Sequence, residues 1–217
     1  MINEATSTVT HTVPVSGGPT EVAADPTAHT VYVTRYAANA VSVIDAATNR
    51  VTHTIPVGPY PAGVAVDPAT HTVYVANSLD ATVSVIDEAT SAVIHTIHVG
   101  ESPQGVAVDP AAHTVYVANS GSNTVSVVDE ASDTVTHTFD VGASVFGLAV
   151  DPAAGTVYVA DWLSGIVSVV DVVTNTVIAR VPAPAAYAVG VDPARHTAYV
   201  ASSNAFSGAV YVIQPCR

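Results

Sequence analysis

The chain has 217 residues, of which 49% are hydrophobic and 11% are charged, and its formal net charge at pH 7 is −13. This composition excludes a disordered chain and supplies enough apolar side chains for a substantial core. The negative charge argues against nucleic acid and membranes as partners. No stretch is long and apolar enough for a membrane-spanning helix. The absence of lysine excludes Schiff-base chemistry.

The two ends of the chain indicate a compartment. The first residues contain no basic segment followed by an apolar stretch, so they predict no secretory signal. Cys216 is the only cysteine, so no intramolecular disulfide can form. We therefore expect a cytoplasmic protein, because a reducing compartment is the simplest location for such a chain.

A repeat organises the whole sequence. A Tyr-Val pair recurs five times at intervals of 42, 42, 42 and 41 residues, and an Asp-Pro pair begins seven residues before each Tyr. Regular self-similarity at this period is typical of solenoids and propellers. The repeated tyrosines are Tyr32, Tyr74, Tyr116, Tyr158 and Tyr199.

The second unit shows what each repeat builds. It contains four β-rich runs at 63–66, 71–77, 82–87 and 92–99, which we name strands A to D from the centre outwards. An Asp-Pro pair after strand A is typical of a type I turn. The runs are apolar on both faces, as expected for a propeller blade that packs against a neighbour on each side.

The repeat register at the termini predicts how the ring closes. The start, 2–6, matches 86–90 in register, and the chain ends where that match begins. The sequence therefore predicts an all-β fold: one five-bladed propeller over 1–217, with four antiparallel strands per blade and a strand at about 7–15 that completes the last blade. The alternative is an open solenoid, which would leave the fifth blade incomplete and without a capping repeat.

The Tyr-Val-x-x motif resembles the repeat of the YVTN family of β-propellers, and this resemblance covers nearly the whole chain. It implies the propeller fold and leaves the function open, because relatives include surface-layer and lactonase-like proteins. The motif copies are Tyr32-Val33-Thr34-Arg35, Tyr74-Val75-Ala76-Asn77, Tyr116-Val117-Ala118-Asn119, Tyr158-Val159-Ala160-Asp161 and Tyr199-Val200-Ala201-Ser202.

The repeats differ from one another on one face. Propeller geometry places the D–A links and the B–C loops together, on what we call the top face, and these segments differ in almost every unit. Six of the eight aromatic residues outside the repeated tyrosines lie there. Aromatic side chains around a concave surface with a few polar groups are typical of a ligand site. The predicted ligand-binding residues are Tyr36, Tyr60, Gln104, Phe146, Trp162, Tyr187, Ser202 and Phe206.

Three charged residues on the top face break the repeat pattern. Glu21 stands where other units have Gly or Ala, and Arg35 and Asp161 replace the motif Asn. We predict Glu21 and Asp161 as general acid or base and Arg35 as the partner of a ligand anion. The alternative is that Arg35 forms a purely structural ion pair with Glu21 or Asp161.

Two groups of residues have the chemistry of metal ligands. One group is similar to the divalent-ion ligands of gluconolactonase-type propellers and would suit Ca²⁺ or Mg²⁺; it consists of Glu21, Asn77, Asn119 and Asp161. Both Asn are ordinary repeat residues, so no metal and no other cofactor is expected. The histidines in the repeat are interpreted as structural, because copies spread around a ring do not converge on one ion. Those after the Asp-Pro turns are His29, His71, His113 and His196.

These observations favour a small-molecule-binding propeller, taken as a monomer, whose ligand is apolar or aromatic with an anionic group. The same residues would suit a cofactor-independent lyase, isomerase or cyclase, and the sequence leaves open whether the site is catalytic. The alternatives are a non-catalytic module that binds a protein or a glycan, and a divalent-metal-dependent lactonase or lyase.

Overall fold

The computed structural model describes residues 2–3, 7–203 and 208–214. Besides one two-stranded sheet, it contains five antiparallel sheets of three or four strands, whose innermost strands pack successively against one another. This arrangement confirms the predicted all-β fold of five propeller blades. Apart from one 3₁₀ turn at Tyr36–Ala38, the described residues form no helix.

Strands follow the predicted order in each blade, from the inside outwards. A short pair, β1 (Ile2–Asn3) and β2 (Thr8–Val9), precedes the blades. Blade 1 contains β3 (Pro19–Asp25), β4 (Thr30–Arg35), β5 (Ala40–Asp45) and β6 (Arg50–Pro56). Blade 2 contains β7 (Pro61–Asp67), β8 (Thr72–Asn77), β9 (Thr82–Asp87) and β10 (Ala92–His98). Blade 3 contains β11 (Pro103–Asp109), β12 (Thr114–Asn119), β13 (Thr124–Asp129) and β14 (Thr134–Asp140). Blade 4 contains β15 (Val145–Asp151), β16 (Thr156–Asp161), β17 (Ile166–Asp171) and β18 (Thr176–Pro182). Blade 5 contains β19 (Ala186–Asp192), β20 (Thr197–Ser203) and β21 (Gly208–Ile213).

The turn after each innermost strand uses the predicted Asp-Pro chemistry. In blade 1, Asp25 Oδ1 accepts hydrogen bonds from the backbone N–H groups of Thr27 at 2.6 Å and Ala28 at 3.1 Å. The turn then needs one residue with positive φ, which is His71 at 55° in blade 2 and Gly155 at 63° in blade 4. A left-handed residue at this point reverses the chain into the second strand.

Contacts between blades rely on the repeated tyrosine and on a glycine. Tyr74 is only 1% exposed and packs with Val106 of the next blade in one apolar cluster. A Cβ atom at position 63 would overlap the Gln104 carbonyl oxygen of the next blade, so this position requires glycine, Gly63. Gly105 and Gly147 occupy the same position in blades 3 and 4 and face their neighbours in the same way. Bare backbone at this position therefore brings the inner strands close together.

The structure differs from the prediction at the closure of the ring. Among the described residues, β2 pairs with β1, and blade 5 has three strands. Tyr199 is 43% exposed and Val22 is 62% exposed, although their copies in the interior junctions are buried. In the part of the chain that the structure describes, the outer faces of blades 1 and 5 are exposed, and no strand from 7–15 is paired with blade 5. The five described blades follow one another in an arc from blade 1 to blade 5.

Candidate functional site

A cavity of about 440 Å³ lies at the centre of the arc, at the ends of the inner strands that face the top. All five blades contribute to its wall, through residues at the start of β3, β7, β11, β15 and β19. Five residues that the sequence predicted for the top-face site line this cavity. They are Glu21, Tyr36, Gln104, Phe146 and Tyr187.

Aromatic rings line one side of the cavity. Phe146 stacks on Tyr187 with centroids 5.1 Å apart and an interplanar angle of 29°, and Trp162 meets Phe146 edge-on at 6.3 Å and 89°. A second pair, Tyr36 and Tyr60, has centroids 4.5 Å apart. Tyr60 and Trp162 do not line the cavity themselves, and instead support rings that do. Offset and edge-to-face contacts of this kind hold flat apolar surfaces in fixed positions.

Glu21 occupies the repeat position that is glycine in blades 2, 3 and 4. Its backbone N–H donates to Thr34 Oγ1 at 3.0 Å, which fixes the strand at this point. Desolvation by the surrounding cavity wall raises the pKa of the Glu21 carboxyl to about 7, even though the residue as a whole keeps substantial contact with solvent. Glu21 is the one charged side chain among the described residues that line the cavity. The cavity therefore has acidic rather than basic character.

Sequence reasoning missed Thr34, which anchors this part of the wall. Its hydroxyl is buried, lies 2.9 Å from Thr20 Oγ1 and donates to the Ala62 carbonyl oxygen of blade 2 at 2.7 Å. The signal was visible in the motif, because Thr34 stands where the other four units have alanine. This hydroxyl joins blades 1 and 2 next to Glu21.

Arg35 bonds to the segment that precedes blade 1. Its Nε donates to the Ser16 carbonyl oxygen at 2.6 Å, and it is not among the residues that line the cavity. Neither of the ion pairs considered as alternatives, with Glu21 or with Asp161, forms among the described residues. The guanidinium group holds the segment before β3 through this bond, and anion binding by Arg35 stays a prediction.

Asp161 has a structural environment. Its side chain is buried, and its two carboxylate oxygens accept hydrogen bonds from the backbone N–H groups of Ala143 at 2.8 Å and Ser164 at 3.0 Å. These bonds fasten two top-face loops to the end of β16. Asp161 is not among the residues that line the cavity, and its role as a general acid or base stays a prediction.

Two members of the oxygen set considered for Ca²⁺ or Mg²⁺ are amides with partners inside their own blades. Asn77 is fully buried, and its Nδ2 donates to Thr82 Oγ1 and Ser84 Oγ within its own blade. Asn119 makes the equivalent bonds in blade 3. Neither Asn lines the cavity with Glu21, because each side chain packs inside its blade.

Two further predicted ligand-binding residues have different outcomes. Ser202 is buried and donates to the Pro184 carbonyl oxygen at 2.5 Å, so it stabilises a loop rather than the cavity wall. Phe206 lies outside the described residues.

Among the described residues, no helix has the length and apolarity needed to cross a membrane.

Comparisons with known proteins agree with the fold. The model of a family described as YNCE-like beta-propeller matches residues 62–145. Among solved structures, the chain is similar to Kuenenia stuttgartiensis hydrazine synthase, with 24% identity and a TM-score of 0.80 over 88% of this chain and 57% of that one. A search of curated proteins found no match. These findings confirm that the chain is a β-propeller repeat protein, and the likeness to hydrazine synthase shows the fold alone.

Proposed function

We propose that the central cavity binds a small, flat, apolar or aromatic molecule between the Phe146–Tyr187 pair and Glu21. The observation that supports this most strongly is the convergence of residues from all five blades on one concave space of about 440 Å³. That size falls within the range of small-molecule sites, and the wall combines aromatic rings with few polar groups, as such sites usually do.

Charge defines the polar end of the ligand. The anionic group that the sequence suggested depended on Arg35, which bonds to Ser16 instead. Glu21 is the charged group that the described wall offers, so the ligand in this proposal carries a hydrogen-bond donor or an amine rather than a carboxylate. Gln104 adds a neutral polar group on the wall.

Glu21 is also the candidate catalytic residue. A carboxyl with a pKa of about 7 is divided between its acid and base forms near neutral pH, which suits general acid–base catalysis. Tyr36 and Tyr187 line the same cavity and provide phenolic proton donors. A lyase, isomerase or cyclase that needs no cofactor fits this set of residues. The proposal that the cavity binds a ligand does not depend on whether the site is catalytic.

A non-catalytic interaction module is the second candidate. It is favoured by the exposure of the top-face aromatic residues, since Trp162 is 44% exposed and Tyr36, Tyr60 and Tyr187 are similarly accessible. Exposed aromatic rings grouped on one surface are common in protein and glycan interfaces.

Native mass spectrometry with a matched library of aromatic carboxylates and aromatic amines, each amine carried on an alkyl group and protonated at pH 7, tests the first proposal. We expect one ligand per chain, drawn mainly from the amines, and loss of binding in Phe146→Ala and Glu21→Gln. Tyr199→Ala is the control, because Tyr199 is an exposed aromatic residue that does not line the cavity. Absence of binding by every library member, or equal binding by all variants, would contradict the proposal and leave the interaction module as the better account.

A further inference from the structure

A histidine and two carboxylates meet at the junction of blades 1 and 2, on the face opposite the central cavity's opening. Asp25 comes from the end of β3, while His71 and Glu88 belong to two turns of blade 2. His71 Nδ1 lies 3.2 Å from Glu88 Oε2 and 3.8 Å from Asp25 Oδ2. One ligand atom from each residue lies within 4.8 Å of the other two, which is close enough for one ion to contact all three.

The next junction repeats this arrangement. Asp67 from blade 2 meets His113 and Glu130 from blade 3, with His113 Nδ1 3.5 Å from Glu130 Oε2 and the three ligand atoms again within 4.8 Å of one another. The copies of the histidine do not converge with each other, as the sequence predicted. Each one instead meets carboxylates of its own and the preceding blade, which repeat spacing alone did not reveal.

Some carboxylate oxygens at the first junction are buried and have no hydrogen-bond partner. The Asp25 side chain is 0% exposed and that of Glu88 is 7% exposed. Oδ1 of Asp25 is used by its turn, whereas Oδ2 has no hydrogen-bond partner, and neither does Glu88 Oε1. Buried carboxylate oxygens without partners are costly, and a bound cation is one of the few ways to compensate them.

The second junction also contains buried carboxylate oxygens that have no hydrogen-bond partner. Asp67 Oδ2 and both carboxylate oxygens of Glu130 are buried without a hydrogen-bond partner. Two carboxylates thus face each other at close range with no positive charge between them apart from a histidine that is charged only when protonated.

We propose that each of these two junctions binds one divalent transition-metal ion of the zinc type, through the Asp, His and Glu side chains. An imidazole nitrogen together with two carboxylate oxygens suits Zn²⁺ better than Ca²⁺ or Mg²⁺, which prefer oxygen ligands alone. The ion joins adjacent blades because the Asp comes from one blade and the other two ligands from the next.

The first site keeps one coordination position open. Three protein ligands leave a tetrahedral ion with a fourth position, which is usually filled by water or substrate. A groove of about 680 Å³ lies beside the cluster and is lined by Tyr32, His71 and Glu88 among others. Solvent and small anions therefore have access to the ion from this groove.

The remaining junctions provide an internal comparison. Between blades 3 and 4, Asp109 is present, but the repeat register places Gly155 and Val172 where the first site has His71 and Glu88. Between blades 4 and 5, His196 Nδ1 lies 2.9 Å from Asp151 Oδ2, and the sequence has Pro215 at the Glu position. Only the first two junctions have complete ligand sets by this register, so the expected stoichiometry is two ions per chain.

Zinc titration of the full chain after chelator treatment tests the proposal, with bound metal counted by elemental analysis and Co²⁺ absorption as a spectroscopic probe. We expect two Zn²⁺ per wild-type chain, one in Glu88→Gln, one in Glu130→Gln and none in the double variant. Glu101→Gln, which changes an exposed acid of the top face, should retain two. Zinc should also raise the melting temperature of the wild type and not that of the double variant.

A second pair of variants guards against misfolding of the glutamine variants. His71→Gly and His113→Gly change half-exposed imidazoles at positions of positive φ, and blade 4 has a natural glycine at this point, Gly155. Each should lose one Zn²⁺ while keeping the native circular dichroism spectrum. Binding of fewer than two ions by the wild type, or two ions retained in the histidine and glutamine variants alike, would overturn the proposal.

Discussion

The ring of Phe146 in blade 4 stacks on the ring of Tyr187 in blade 5, with their centroids 5.1 Å apart. This pair spans a blade junction and forms one wall of the central cavity. Because each ring comes from a different blade, the shape of the wall depends on the packing of the junction as well as on the two side chains. The cavity is therefore a product of the repeat frame and of the residues that depart from it.

Phe146→Ala should weaken binding of an aromatic ligand about 10-fold, which corresponds to about 1.4 kcal/mol, because it removes a stacking surface and loosens Tyr187. Isothermal titration with a ligand from the library measures this change. Tyr199→Ala should leave affinity unchanged, since Tyr199 does not line the cavity. Equal affinities for the wild type and Phe146→Ala would show that the ligand binds elsewhere.

Binding of an aromatic amine should strengthen as pH rises through about 7, where the Glu21 carboxyl loses its proton. The sign follows from the raised pKa: below 7 the carboxyl is neutral, and above 7 it is a carboxylate that pairs with an ammonium group. Affinity measured from pH 5.5 to 8.5 checks this, with Glu21→Gln as the matched variant. A wild-type profile as flat as that of Glu21→Gln would exclude Glu21 as the ligand's partner.

Tyr74→Ala should lower the free energy of unfolding by about 3–5 kcal/mol, the usual cost of deleting a buried aromatic side chain. Its copy in blade 5 should behave differently, because Tyr199 is 43% exposed and Tyr74 is 1% exposed. Tyr199→Ala is expected to cost about 1 kcal/mol or less. Urea denaturation compares the two, and similar losses would indicate that blade 5 packs against blade 1 in a closed ring.

Gly63→Ala should destabilise the protein by about 1–3 kcal/mol, since the added methyl group would overlap the Gln104 carbonyl oxygen and force two blades apart. Gly190→Ala is the control, because among the described residues no heavy atom beyond Gly190 and its two chain neighbours lies within 4 Å of the Cβ position there. We expect that control to change stability by about 0.5 kcal/mol or less. Thermal melts of both variants measure the difference, and an unaffected Gly63→Ala would mean that the junction is looser than described.

Repeat spacing was sufficient to predict the blades. The tyrosine intervals, the Asp-Pro pairs and the four β-rich runs placed the strands of blade 2 within a few residues of β7 to β10. Closure could not be predicted in the same way. Tyr199 and Val22 have the same chemistry as their buried copies, and the angle between blades depends on packing that a repeat pattern does not contain.

The cavity was predicted in part, because side chains that depart from a repeat are easily recognised. Glu21, Phe146 and Tyr187 stood out for this reason and line the cavity. Arg35 stood out equally, yet its direction depends on a bond to the Ser16 carbonyl oxygen, and no pattern in the sequence marks that acceptor. The meeting of His71 with Asp25 was missed because the two residues lie 46 positions apart in different repeat roles.

A titration followed by the fluorescence of Trp162, the only tryptophan of the chain, tests the binding proposal most directly. Its indole ring contacts Phe146 edge-on at 6.3 Å, so a molecule that enters the cavity should change its emission. With the tightest aromatic amine of the library at pH 8, we predict a saturable one-site change that is weakened in Phe146→Ala and Glu21→Gln and kept in Tyr199→Ala. No saturable change, or the same change in all four proteins, would contradict a ligand site in the cavity.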